Sequence, residues 1–242
     1  MKIDFYVEFP TKKNLEKLKL ITWPCKIFIA AHSLNEFQKF EKQAKKINKN
    51  IKTAYWPIVK NSYWISPLSN TKDLKDLFSE LEKCKNELLI DLEFPILNKK
   101  LFFKNFLFFL KNKRLIKEFL EKNKKRITTA QFPSAIINWL YRLLGIDYSV
   151  NSEKSFMWYS STLSHVMNRK TQKHLLKLED KHVHSVGLGT IAKGIITTEP
   201  ILSPDKLRID LNFVKKNGFK KVIIFRLGGL NKKYIETIKK FL

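Results

Sequence analysis

A single (β/α)8 barrel of the TIM type, an α/β fold, is predicted by the rhythm of this chain, by a repeated strand ending and by its length. Eight short runs rich in β-branched and aromatic residues alternate with amphipathic, Lys- and Glu-rich stretches long enough for crossover helices. Several of the runs end on a polar residue followed by an aromatic and a proline. Barrels of this kind reach about 250 residues as one unit, so residues 1–242 read as one domain. No Gly-x-Gly-x-x-Gly turn follows the first run, which counts against an open dinucleotide-binding sheet.

The first strand spans 3–9 and ends in Glu8-Phe9-Pro10. The second spans 26–32, just after Cys25, and a Lys/Glu-rich helix occupies 34–48. Strand three, 51–56, ends in Tyr55-Trp56-Pro57, and a loop with Trp64 leads to a helix at 71–85. Strand four, 88–94, ends in Glu93-Phe94-Pro95. The apolar run LFFKNFLFFL, 101–110, is too short to span a bilayer. It reads as a buried barrel helix, the alternative being a helix in weak contact with a membrane surface through Lys111, Lys113 and Arg114. Strand five, 127–132, ends in Gln131-Phe132-Pro133, and strands six, seven and eight span 155–161, 184–191 and 222–229. A helix at 204–217 separates the last two. Proline cannot donate to a strand ladder, so each Phe-Pro or Trp-Pro turns the chain outward. The polar residue before it then stands near the C-terminal lip, where barrels build active sites.

A formal charge of +25 ordinarily suggests a polyanion partner. Here the excess is mostly lysine, spread in pairs such as Lys45-Lys46 and Lys220-Lys221 over predicted helix faces, so solvated helix surfaces are favoured over a nucleic-acid interface. Cys25 and Cys84 are far apart and fit reduced thiols in a cytoplasmic protein. The chain opens on a strand-like segment rather than a signal peptide. His182-Val-His184 is an isolated close pair placed at the start of strand seven, so neither a metal nor another cofactor is predicted.

Alternation in strand four places Leu89, Asp91 and Glu93 on one face and Ile90, Leu92 and Phe94 on the other. The two carboxyls then share the barrel mouth, where each raises the other's affinity for a proton. Such a pair suits protonation of a leaving group; a surface pair bridged to Lys99 or Lys100 is the plainer alternative. Glu8 and Gln131 are expected across the mouth. Glu8 is read either as a second carboxylate acting on the substrate or as an ion-pair partner of Arg226. A different enzyme class, a phosphosugar isomerase or aldolase, would use Gly187, Gly189 and Lys193 after strand seven and Arg226, Gly228 and Gly229 after strand eight to hold phosphate. A non-catalytic glycan- or nucleic-acid-binding barrel is the third class.

From residue 86 to 230 the chain resembles the chitinase-type glycoside hydrolases of family 18. Asp91-Leu92-Glu93-Phe94-Pro95 matches the end of that family's strand-four motif, and Met157-Trp158-Tyr159-Ser160 its strand-six motif. Val186-Gly187-Leu188-Gly189 is similar to its strand seven, and Phe225 stands near the place of its strand-eight tryptophan. Asn86 and Leu89 replace two earlier aspartates, and the strand-three Ser-x-Gly-Gly is absent from Thr53-Ala-Tyr-Trp56. The resemblance implies a carbohydrate substrate and substrate-assisted hydrolysis of an N-acetylated glycan. Glu93 is then the general acid and base, Asp91 the residue that orients the acetamido group, and Tyr159 the donor to its oxygen. Tyr55, Trp56, Trp64, Trp158 and Phe225 are the candidate stacking faces.

Overall fold

The computed structural model describes residues 1–95, 100–133, 138–195 and 197–242, except for the side chains of residues 102, 138 and 139. Lys99, named above as a partner for the carboxyl pair, lies outside them. Strands β1 (Lys2–Val7), β2 (Cys25–Ala31), β3 (Ile51–Pro57), β4 (Glu87–Asp91), β5 (Ile127–Gln131), β6 (Glu153–Trp158), β7 (Ser185–Gly189) and β8 (Lys221–Phe225) form a closed, all-parallel barrel. The predicted (β/α)8 architecture is therefore the observed one. Closure is made by β1 on β8, in register from Lys2 opposite Lys221 to Tyr6 opposite Phe225. β6 and β8 stop earlier than predicted, and after β8 the chain turns tightly through Leu227–Gly229.

Helices α1 (Lys12–Leu15), α2 (Leu34–Ile47), α3 (Thr71–Lys83), α4 (Lys100–Asn105), α5 (Phe109–Asn123), α6 (Asn138–Leu144), α7 (His165–Leu176), α8 (Pro204–Lys216) and α9 (Lys232–Lys239) surround the strands. Most start on a side chain that accepts the otherwise unpaired N–H groups of the first turn. Ser33, Asn70, Ser164, Ser203 and Asn231 cap α2, α3, α7, α8 and α9 in this way. Two apolar layers follow from strand alternation. Tyr6, Phe28, Ala54, Trp56, Leu89, Ala130, Met157 and Ile223 fill the barrel, while Phe5, Ile27, Tyr55, Ile90, Phe156, Leu188 and Ile224 pack outward against helices.

One region departs from the closed pattern. β3 and β4 pair at just two positions, Ala54 with Glu87 and Tyr55 with Leu88. Beyond them the loop 58–70 takes over the edge of β4: Ile65 bridges Leu92, and the Ile65 amide donates to the Asp91 carbonyl at 3.0 Å. The loop thereby becomes part of the barrel's C-terminal lip.

The run 101–110 is not the buried barrel helix that its composition predicts. It comprises α4, a tight turn at Phe106–Phe108 and the start of α5. Phe103 is 89% exposed, Phe106 70% and Leu107 90%, and Phe108 and Leu110 also face solvent. The buried stripe runs instead through Leu101, Asn105, Asn112, Ile116, Phe119 and Leu120, at the three- and four-residue spacing of one helix face. Two of these residues are polar because they bind the backbone of loop 58–70. Asn105 Nδ2 donates to the Leu68 carbonyl at 3.0 Å, and Asn112 Nδ2 donates to those of Pro67 and Ser69 at 2.9 Å each. Asn112 Oδ1 accepts from Thr71 Oγ1 at 2.8 Å. An apolar residue at either position would strand those buried carbonyls.

Asn112→Ala should accordingly cost about 2–4 kcal/mol in urea unfolding, the penalty of several lost buried hydrogen bonds. Leu107→Ser should stay within about 0.5 kcal/mol, the usual range for an exposed position. Comparable losses at both positions would reject the assigned stripe.

Candidate active site

Parity along β4 decides what the barrel mouth contains. Leu88, Ile90 and Leu92 belong to the outer apolar layer, and Leu89, Asp91 and Glu93 project inward. Residues of the same parity arrive from the neighbouring strands: Glu8 beyond β1, Trp56 on β3, Met157 and Tyr159 on and beyond β6, and Phe225 on β8. Together they line a cavity of about 320 Å³ at the C-terminal ends of the strands, within the ~300–1,000 Å³ common for small-molecule sites. Its floor is aromatic. Tyr159 stacks on Phe225 with ring centroids 5.0 Å apart, and Tyr6 and Trp56 meet Phe225 at 5.8 and 6.5 Å.

Asp91 and Glu93 form a tightly coupled pair. Burial pushes both carboxyls up, and for Asp91 the neighbouring Glu93 and Glu8 add to the effect. Glu93 rises from an ordinary 4.5 to about 7, with burial the largest cause, a hydrogen bond from Asp91 opposing it and the charge of Glu8 reinforcing it. The pair thus keeps a proton, on the hydrogen bond from Asp91 to Glu93, above the usual carboxylate range. The Tyr159 hydroxyl is held far above its usual range, first by burial and then by Tyr6 and the carboxyl group charges, so it remains a hydrogen-bond donor. Two buried polar atoms of this cavity lack a partner among the described residues, Asp91 Oδ1 and Trp56 Nε1. One can accept and one can donate, which is a ready pair of contacts for a polar ligand.

Glu8 is treated differently. Arg226, itself buried, ion-pairs with Glu8 through Nη1 and donates through Nη2 to the Ala192 carbonyl. Tyr63 donates its hydroxyl to the other Glu8 oxygen at 2.9 Å. Burial raises the Glu8 carboxyl, and Arg226 and Tyr63 pull it back. Glu199, 3.8 Å from Arg226, accepts from the Gly194 amide at 2.7 Å. A Cβ at Gly194 would lie 1.9 Å from Arg226 Nη1, so another residue there would displace the guanidinium. Arg226 therefore acts as a clamp between β1, β8 and the loop after β7.

Four of the sequence-predicted residues do not line the cavity. Tyr55 faces outward and stacks on Phe37 of α2 at 4.8 Å, and Trp158 packs edge-on against Phe213 of α8 at 5.0 Å. Both alternate with the inward residues Trp56 and Tyr159, so the period of two excludes them. Gln131 is excluded in the same way, since Ala130 and Phe132 hold the inward positions beside it. Arg226 acts on Glu8 rather than on the cavity. His184 packs edge-on against Phe156 and accepts from the Lys154 amide at 3.3 Å, and His182 is exposed.

Tyr63 and Glu199 line the cavity and were not anticipated. Tyr63 belongs to the segment that singled out Trp64, and the two rings meet edge-on at 5.0 Å. Its φ of +68°, costly for an aromatic residue, is held by an antiparallel bridge to Val59 and by the bond to Glu8. Glu199 precedes Pro200 in the loop after β7, beyond the reach of any strand periodicity.

Arg226→Met leaves Glu8 buried without its counter-charge and should cost about 3–5 kcal/mol, with Glu8→Gln in the same chain recovering much of it. A double-mutant cycle in urea measures this, and strict additivity would contradict the clamp. Because the folded pKa of Glu93 lies above its unfolded value, the folded chain holds a proton that the unfolded chain releases. The stability that Glu93 contributes should be full below about pH 4.5 and decline as pH rises toward 7. Glu93→Gln should flatten that decline, which thermal melts across this range can check.

No protein-family model matches the sequence, and no curated protein matches it. Solved structures do match it in shape. A class V chitinase from Nicotiana tobaccum aligns over 100% of this chain and 99% of its own, with TM-score 0.56 and 12% identity. The spore cortex-lytic enzyme of Bacillus megaterium aligns over 100% and 74%, with TM-score 0.60 and 12% identity. A chitinase-like agglutinin from Robinia pseudoacacia aligns over 98% of both chains, with TM-score 0.56 and 10% identity. At such identities the likeness shows the fold, a barrel common to chitinases, a cortex-lytic enzyme and an agglutinin.

Proposed function

We propose that this chain is a glycoside hydrolase that cleaves an N-acetylated glycan with the substrate's own acetamido group as nucleophile. The observation that carries it is the coupled Asp91–Glu93 pair, Asp91 buried and Glu93 half-buried, on one aromatic-floored cavity with Tyr159. Protonated Glu93 donates to the glycosidic oxygen as that bond breaks, while the acetamido oxygen closes on the anomeric carbon. Asp91 accepts from the acetamido N–H, whose positive charge grows as the ring forms, and Tyr159 donates to the acetamido oxygen. Glu93, now ionised, takes a proton from the water that reopens the ring, and the anomeric configuration is retained.

Structures of the same fold support this choice of ligand, since a Nicotiana tobaccum class V chitinase mutant is seen with NAG4 and a Cycas revoluta chitinase with (GlcNAc)3. The phosphosugar reading is weakened by charge. The described lining includes Glu8, Asp91, Glu93 and Glu199 and no Lys or Arg, so a phosphate would meet repulsion. Gly229, proposed for a phosphate turn, is packed against the Ile191 carbonyl. The same lack of cations speaks against nucleic acid in the cavity. Among the described residues no helix is long and apolar enough to cross a membrane. The two buried free thiols, Cys25 and Cys84, suit a cytoplasmic setting.

On N-acetylglucosamine oligomers, Glu93→Gln should lower kcat by about 10²–10⁴ and Tyr159→Phe by about 10²–10³, both without loss of fold. An acidic phenol leaving group, which needs less protonation, should recover part of the Glu93→Gln loss. In the wild type, kcat/KM should fall as pH rises through about 7, where Glu93 loses its proton. Undiminished turnover in Glu93→Gln would falsify the mechanism.

A further inference from the structure

The crossover from β4 to β5 carries an apolar ridge. Phe103, Phe106, Leu107, Phe108 and Leu110 follow one another closely and all stand in solvent. Scattered exposed apolar side chains are ordinary, whereas a contiguous group marks a surface that meets another apolar phase. The setting is basic. From Lys100 to Lys117 there are six basic residues and no acidic one. Lys100, Lys104, Lys111 and Arg114 are exposed and make no ion pair with any described residue. Leu110, Lys111 and Arg114 line one shallow groove on α5 with Lys75, Leu115 and Glu118.

Topology fixes where the ridge lies. β4 ends at the cavity mouth and β5 starts at the opposite end of the barrel, so α4 and the first turn of α5 sit beside the mouth. Asn105 and Asn112 bind them to the loop that supplies Trp64 to the cavity wall.

We propose that this ridge docks the protein on an anionic lipid bilayer, with its rings at the acyl boundary and its lysines and Arg114 among the headgroups. Charge selects this occupant. A second copy of the chain would bring the same basic flanks face to face, with a formal +25 on each. A nucleic acid would satisfy the cations and leave the five apolar side chains in water. An anionic leaflet takes both, and stable peripheral attachment needs both. Docking would turn the cavity mouth toward the membrane surface. That the cavity then meets a surface-borne glycan rests on the hydrolase reading; the docking itself does not.

Co-sedimentation of the full chain with phosphatidylcholine vesicles, with and without phosphatidylserine, tests the proposal. The wild type should bind the anionic vesicles, and high salt should weaken binding. Phe103→Ser combined with Leu107→Ser should lower partitioning about tenfold or more. Lys104→Gln combined with Lys111→Gln should lower it about five-fold for each charge removed. Both variants should melt with the wild type, because the substituted side chains are exposed. Failure to bind anionic vesicles, or binding indifferent to the Phe103 and Leu107 changes, would overturn the proposal. So would a wild-type dimer that these two changes split, which would assign the ridge to a second copy. Loss of RNA binding in the same variant would assign it to nucleic acid.

Discussion

Closing eight parallel strands into one ring is the constraint on which the rest depends. In a closed barrel every second side chain must point at a common axis, and no strand has a free edge along which to slip. Register fixed at the β1–β8 seam, where Tyr6 meets Phe225, therefore fixes which residues share the mouth. Glu8, Asp91, Glu93, Tyr159 and Phe225 are remote in sequence and adjacent in space for that reason alone. A one-residue shift in β4 would exchange Asp91 and Glu93 for Ile90 and Leu92.

Charge at the mouth is divided unequally, and the division gives the site its chemistry. Four carboxyls line one cavity, and the cation placed beside them, Arg226, serves Glu8. Its two terminal nitrogens bind Glu8 and the Ala192 carbonyl, with Glu199 3.8 Å away, and it does not lower the carboxyls of Asp91 or Glu93. A cation beside Glu93 would stabilise the carboxylate and strip it of the proton that an acid must deliver. The Glu8 charge, although paired with Arg226, still adds to the hold of Asp91 and Glu93 on a proton. Tyr63 completes the arrangement by holding Glu8 in an orientation that its own positive φ makes possible.

The strands and their alternation were legible because β-branched and aromatic runs are dense here and the Phe-Pro endings mark their C-terminal lips. Alternation applied to strand four placed Asp91 and Glu93 inward, as the structure has them. Tyr55, Trp158 and Gln131 went astray where aromatic or polar character was allowed to outrank that same period of two. The segment 101–110 failed for a related reason. Its apolar residues outnumber its polar ones so heavily that composition masks the stripe. The stripe is set by two asparagines whose task, satisfying carbonyls of a distant loop, no local pattern records. Glu199 was hidden because a long loop has no periodicity to read.

Loop 58–70 joins these parts. Its Ile65 amide is bound to the Asp91 carbonyl, Tyr63 to Glu8, and its Leu68, Pro67 and Ser69 carbonyls to α4 and α5. A loop with its backbone satisfied from three sides is a fixed wall rather than a swinging flap. The ridge and the carboxyl pair are thus both attached to loop 58–70. Because the ridge is tied through buried asparagines and not through its own phenylalanines, those rings need not turn inward to secure the helix. That separation of tasks explains how a strongly apolar surface can stand in solvent while the wall behind it stays in place.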